Sequence, residues 1–440
     1  MKNRKDQGDS NRLRLMNPSN SNGKVHFLVH QWAVIFMCIW ISWPYLNYQL
    51  GILPFLVLFV CWFFLTDFKW VFHYLSIDIV MLIVWGITLI PFIFTGDFEY
   101  GSLSPKNALV SFLLFFTGMI INHYYMYYKK NPVVLGRVVF ITLLFYFIAS
   151  IQTYFGLKQF PFAARELATG MSSLPTAYYS LGIGGFGFVY SAVFINILLL
   201  YFIFNKQSKG QRSFKILCLL IFCMITAMLV LASYATALLF LFIGSMLVLF
   251  IRGKRSFILA IFLSSLFLLI VPKEIFGQVF IHAAYLFDGN GVIQSKLFDL
   301  AQGFVSGNYG DQTVGRGQLY LSSIHAFLHN PFFGIYGPFS NPFNTFVGGH
   351  SGWLDQLAYY GLFGSFPLFT VFFLNIRKHL QHFSKHPYYR ILLIAQLLFI
   401  LFGFINPVLY IYQLGFVMFV IAPAIPYLPY AFSKKEQGKD

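Results

Sequence analysis

The sequence predicts an all-α integral membrane protein, a polytopic bundle of about 12 transmembrane helices with a large extracytoplasmic loop between helices 9 and 10. Three observations predict it. Hydrophobic residues make up 58% of the 440, charged residues only 10%, and mean hydropathy is +0.69, a composition that belongs to bilayer-embedded chains and excludes a soluble one. Apolar runs of roughly 17 to 25 residues, the length needed to cross the hydrocarbon layer, recur along the chain. Lys and Arg gather in alternate connections, as cytoplasmic loops require.

Residues 1–29 read as a cytoplasmic basic tail, with Lys2, Arg4, Lys5, Arg12, Arg14 and Lys24 and a disordered Asn/Ser-rich stretch, Asn17 to Gly23. No small-residue cleavage site follows a short apolar run, so the first span is expected to stay as an anchor. Helices 1–9 fill 30–272, with windows at 30–47, 50–66, 74–94, 107–124, 134–155, 183–204, 215–233, 235–251 and 256–272. The extracytoplasmic loop covers 273–351. Helices 10–12 fill 352–428, with windows at 352–374, 390–406 and 408–428, and a cytoplasmic tail covers 429–440. Tight turns must separate the spans at 47–50, 233–235 and 406–408.

With the N-terminus inside, the cytoplasmic segments hold Lys69, Lys129, Lys130, Arg137, Lys206, Lys209, Arg212 and Lys215. They also hold Arg252, Lys254, Arg255, Arg377, Lys378, Lys385, Arg390, Lys434, Lys435 and Lys439. Only Lys106, Lys158, Arg165, Lys273, Lys296 and Arg316 fall outside. An error of one span would scramble this asymmetry, so both termini are expected in the cytoplasm. The net charge of +16 then orients the protein and meets anionic headgroups; it does not imply nucleic acid. Cys38, Cys61, Cys218 and Cys223 lie inside apolar runs, with neither disulfide nor metal-ligand spacing. No cofactor and no metal is expected.

Two outer segments are long enough to carry chemistry: Gly156 to Leu181 with Arg165, and the 273–351 loop with Arg316. In the larger one, Tyr320, Ile324, Phe327 and Leu328 recur at helical spacing, predicting an amphipathic helix flat on the membrane with Arg316 near its start. His350 stands where the tenth span begins, and the positive end of that helix disfavours imidazolium. A neutral imidazole accepts a proton, so it suits a general base. Asp355 lies five residues on, about 140° round the helix. An intramembrane carboxylate is costly unless paired, which places Asp355 at a cavity floor and makes Asp78 a second position of interest. Each residue has a plainer reading: Arg316 as a solvated loop residue, His350 as an interfacial histidine after the Gly348-Gly349 turn, and Arg165-Glu166 as a surface pair.

The stretches Gly315-Arg316-Gly317-Gln318-Leu319-Tyr320, Ile324-His325-Ala326-Phe327-Leu328-His329-Asn330-Pro331-Phe332-Phe333-Gly334-Ile335-Tyr336-Gly337 and His350-Ser351, with Gly361 and Gly364 downstream, resemble the O-antigen polymerase/ligase family. The likeness covers 315–364 and more weakly 231–250. That family pattern has an Arg opening a loop helix, an Asn-Pro-x-x-Gly-x-Gly turn and a His-Asn/Ser-x-x-Leu helix start ending in Gly-x-x-Gly. Here Gly337 comes one residue late. The family often carries Ser-Arg at the outer start of the eighth span, where this chain reads Ser233-Tyr234-Ala235.

The resemblance implies a glycosyltransferase of the bacterial cytoplasmic membrane. It would polymerise undecaprenyl-pyrophosphate-linked oligosaccharide units into a surface polysaccharide, such as a capsule or exopolysaccharide, on the outer face. His350 would be the catalytic base; Arg316, Arg165 and Asp355 would bind substrate. Donor glycan, acceptor glycan, a flippase and a chain-length regulator are the implied partners. A planar guanidinium suits a pyrophosphate leaving group, because it offers paired donors and never loses its proton. The alternatives are a ligase that moves the glycan to another acceptor, a lipid-linked glycan flippase or transporter, and a metal-dependent transferase using Asp97 and Glu99. Transporters usually show repeated halves and a midplane site, whereas here the polar mass sits in one outer loop.

Overall fold

The computed structural model describes residues 21–66, 77–95, 105–169, 175–204, 212–232, 234–250, 273–287, 311–335, 347–407 and 411–432, with residue 409 and isolated positions between 291 and 302. Among them the chain is helical, without a β-strand. The sequence windows other than 256–272 fall on helices; that window, Asp97 and Glu99, Gly337, residues 1–20 and residues 433–440 lie outside the described residues.

In order, the helices are α1 (Ser21–Ser42), α2 (Pro44–Leu50), α3 (Leu53–Leu65), α4 (Ile77–Thr95) and α5 (Pro105–Asn122), which runs on as a π segment, His123–Tyr128. Next come α6 (Pro132–Gln159), the short α7 (Ala163–Thr169) and α8 (Pro175–Ser180), α9 (Phe186–Phe204), α10 (Arg212–Ala232) and α11 (Ala235–Phe250). Then come α12 (Lys273–Leu286), α13 (Asp311–His329), α14 (Gly352–His382), α15 (Tyr389–Ile405) and α16 (Tyr412–Phe416), which continues through a second π segment, Val417–Ile421, a helical turn, Ala422–Ala424, and a 3-10 segment, Ile425–Tyr430. Among the described residues six helices are long and apolar enough to cross a membrane, or up to seven if the bent pair at Ser42 and Pro44 is one span. The chain is therefore an all-helical, multi-pass membrane protein.

The first predicted span does not run to residue 47. It breaks at Trp43 by 102°, because a residue before proline is pushed out of the helical region, and Trp43 has φ −116° and ψ 99°. The break is braced on both sides. Trp43 Nε1 donates to Gln152 Oε1 at 2.7 Å, and Trp40 Nε1 donates to the Gly51 carbonyl at 2.7 Å.

Helix α9 is the centre of the bundle: it is buried from Phe188 through Leu200 and packs on α10, α11 and α15. A helix apolar all round belongs inside such an assembly. Its one side-chain amide, Asn196, donates through Nδ2 to the Phe222 carbonyl and to Thr226 Oγ1 at 3.2 and 3.0 Å. Helix α14 packs along α4, α15 and α13, so it ties the 273–351 segment to the bundle.

The amphipathic helix predicted in the large loop exists as α13, and it packs on the protein through its small residues. Ser323 and Ala326 are buried, while Leu321, Ile324 and Leu328 are 56%, 37% and 63% exposed. Small residues let two helix backbones approach closely. Of the apolar stripe, Ile324 and Leu328 point away from the protein, while Tyr320 and Phe327 are half-buried.

Candidate functional site

The site is built where α13, the turn after it and the start of α14 meet. Helix α14 is interrupted at Gly361, whose φ of 60° and ψ of −166° lie outside the helical region. In an unbroken helix the Leu362 amide would bond to the Ala358 carbonyl. Both groups bond instead to the turn 330–335: Leu362 N–H donates to Pro331 O at 2.8 Å, and Ala358 O accepts from Ile335 N–H at 2.9 Å. Phe363 N–H likewise donates to Phe332 O at 2.9 Å. The turn and the break thus exchange the hydrogen bonds that each lacks alone.

Glycine is required on both sides of this junction. Gly334 has φ +68°, and a Cβ there would meet the Tyr359 carbonyl oxygen at 2.3 Å; a Cβ on Gly361 would meet the Phe332 carbonyl carbon at 2.4 Å. The Asn330-Pro331 turn and the Gly361 element, separate in sequence, are one structural unit.

Asp355 anchors the other side. It is 0% exposed, which revises the expectation that it lines a cavity floor. One carboxylate oxygen accepts from the Ser323 hydroxyl at 2.5 Å and the other from the Ser351 amide at 2.8 Å. The Gly349 amide also donates to it. Ser351 is the N-cap of α14 and accepts from the Leu354 amide at 3.3 Å, so Ser351 and Asp355 cap the helix reciprocally. Ser323 Oγ in turn accepts from the Gly348 amide at 3.0 Å. Sequence reasoning missed Ser323, because a lone serine on a helix carries no pattern. The signal for Asp355 was present in the Ser-x-x-x-Asp spacing at a helix start.

These bonds hold the 348–351 loop against α13. The Gly348 Cα packs so closely on the Leu319 carbonyl that a Cβ would sit 2.2 Å from its oxygen. Leu319 is three residues after Arg316, about one helical turn. His350 is exposed on this loop, immediately before the cap. The structure therefore brings the segments carrying His350 and Arg316 side by side. The side chains of Arg316, Arg165 and Asp78 are not among those described.

Arg165 lies on α7, at the same end of the bundle. Tyr234 Oη donates to the Ala164 carbonyl at 2.7 Å, and the neighbouring Glu166 accepts from the Tyr178 hydroxyl at 2.7 Å. The Tyr234 ring lies 5.5 Å from Tyr190, which lies 4.4 Å from Phe402. The next residue, Gly403, offers its carbonyl to Ser351 Oγ at 3.4 Å. A packed path thus joins α7 to the cap of α14. Tyr234, noted in the sequence for standing where an arginine was expected, serves here as the brace of the Arg165 helix. Tyr234→Phe is expected to lower the unfolding free energy by about 1 kcal/mol, the worth of one such bond. Chemical denaturation in detergent reads it, and unchanged stability would remove the hydroxyl from the brace.

Among the described residues no group of three or more His, Cys, Asp or Glu side chains could hold a metal ion. No protein-family model matches the chain, and no curated protein matches its sequence.

Proposed function

We propose that the chain is a membrane glycosyltransferase that joins undecaprenyl-pyrophosphate-linked oligosaccharide units into a polysaccharide at the outer face of a bacterial cytoplasmic membrane. In this reading twelve spans cross the bilayer, both termini are cytoplasmic, and the 273–351 segment faces outward. The single observation that carries it is the clamp around Asp355, which holds the His350 loop against the helix that bears Arg316. A base and a permanent cation on adjoining segments at one end of a membrane bundle suit a transfer between lipid-borne substrates.

The acceptor hydroxyl oxygen attacks the anomeric carbon, and its proton passes to the His350 imidazole. The bond from that carbon to the pyrophosphate oxygen breaks, and its electron pair stays with the leaving group. Arg316 and Arg165 offset the charge that gathers there. The displacement inverts the anomeric centre. The base step is worth about 10²- to 10⁴-fold in rate. Asp355 acts as a positioning residue, through the amides of Gly349 and Ser351.

The test is the glycan profile of cells carrying His350→Ala or Arg316→Ala at normal protein levels. Single repeat units on the final acceptor in place of long chains are expected. Long chains stranded on the carrier lipid would mark a ligase, and units trapped inside would mark a flippase. Unchanged long chains in both variants would overturn the assignment.

A further inference from the structure

We infer that the far end of the bundle carries a second site, one that binds an anionic phosphate group. It rests on no part of the glycosyl-transfer reading. Asp355 lies in the first turn of α14 and His382 is its last residue, and the unbroken part of the helix beyond Gly361 alone separates them by roughly 30 Å at 1.5 Å per residue. Beside His382 is a cavity of about 500 Å³. Its rim is Lys130, His382 and Tyr430, with Tyr127 and Tyr427 half-buried below them and Met126 and Leu135 buried at its floor.

The rim offers donors, with Lys130 the permanent one and His382 Nε2 already 3.1 Å from Tyr427 Oη. Lysine ammonium, tyrosine hydroxyl and imidazole N–H suit phosphate oxygens, which only accept, and no acidic residue lines the cavity. Further positive charge stands behind the wall. Lys378 Nζ lies 4.7 Å from the centre of the Tyr127 ring and 2.9 Å from His123 Nδ1, and Lys129 Nζ lies 4.9 Å from the Tyr128 ring.

The local backbone is built to hold this arrangement. The π segment His123–Tyr128 supplies Tyr127, and such segments occur mainly as single-turn bulges, often at functional sites. Lys130 is the one non-glycine residue with positive φ, 48°, among the described residues. It is fixed there from both sides: Lys129 N–H donates to Tyr124 O at 2.8 Å and Asn131 N–H to Tyr125 O at 2.9 Å. Asn131 then caps α6 through the Val133 and Val134 amides, both at 3.1 Å. The left-handed Lys130 closes the π segment as a helix C-cap, and this fixes the backbone of the lysine at the mouth of the cavity. The tyrosine and methionine floor below the charged rim matches a lipid headgroup followed by its first apolar carbons.

The experiment is native mass spectrometry of the full chain in neutral detergent, incubated with equal amounts of phosphatidylglycerol and phosphatidylcholine. Preferential retention of phosphatidylglycerol is expected. Lys130→Asn keeps a residue that tolerates positive φ and removes the charge; it should lower retention about five-fold. His382→Gln should lower it as well, while Lys385→Asn, outside the cavity on the same face, should leave it unchanged. Displacement of the lipid by excess inorganic phosphate assigns the site to free phosphate, and resistance to displacement assigns it to the headgroup. Equal retention of the two lipids by the unaltered chain, or equal losses in the Lys130 and Lys385 variants, would overturn the proposal.

Discussion

Gly361→Ala is expected to abolish accumulation of the folded protein in the membrane. The residue combines φ 60° with ψ −166°, a region that only glycine occupies without strain of about 1–3 kcal/mol. Its missing side chain is also where the turn backbone passes, with the Phe332 carbonyl carbon and oxygen 2.4 Å and the Phe333 nitrogen 2.5 Å from an added Cβ. Backbone atoms cannot swing aside as a side-chain tip can. Displacing the turn would strip the Ala358 carbonyl and the amides of Leu362 and Phe363 of their partners, at about 1–3 kcal/mol for each unpaired group. The sum exceeds about 4 kcal/mol, the range of exceptional single substitutions. Gly349→Ala is the control: φ is +71° there too, but nothing lies within 4 Å of the added Cβ, so the cost is about 1–2 kcal/mol. Detergent-extracted yield and size-exclusion profile compare them, and equal yields would contradict the account.

The second large effect is expected from Asp355→Asn, which keeps the shape and removes one acceptor oxygen. The carboxylate accepts from Ser323, Ser351 and Gly349. An amide nitrogen facing the Ser351 N–H would meet a donor, and one facing Ser323 would force its hydroxyl proton to turn to the Leu319 carbonyl. Hydrogen bonds to a charged acceptor are worth about 1.5–3 kcal/mol each, so the 348–351 loop should open about 10- to 100-fold more often. Hydrogen exchange should accelerate at Gly348, Gly349 and Ser351 while the part of α14 beyond Gly361 keeps its protection. If those amides exchange as slowly in the variant, the carboxylate does not hold the loop.

The positions of the helices were legible in the sequence because a bilayer leaves the backbone few choices. Apolar runs marked α6, α9 and α10 closely. The break at Trp43 was less visible: Pro44 signals it, but an average over a long window hides one residue. Helix α13 was found from the spacing of Tyr320, Ile324, Phe327 and Leu328, of which Ile324 and Leu328 are exposed. In a membrane protein apolarity distinguishes lipid from water, not protein from lipid, so the packing face fell to Ser323 and Ala326.

The candidate site was half legible. Asn330, Pro331, Gly334 and Gly361 stood out as punctuation, but that the turn completes the broken helix follows only from their contact. Ser323 and the bracing hydroxyl of Tyr234 had no sequence signature. Both π segments were invisible too, since one extra residue per turn barely alters an apolar pattern.

The exchange of bonds between the 330–335 turn and the break in α14 also imposes an order on biosynthesis. The ribosome delivers the turn before it delivers Gly361, so the partner already exists when the interrupted span first needs it. A circular permutant that releases α14 ahead of residues 330–335 would ask the nascent span to wait in lipid with bare carbonyl and amide groups.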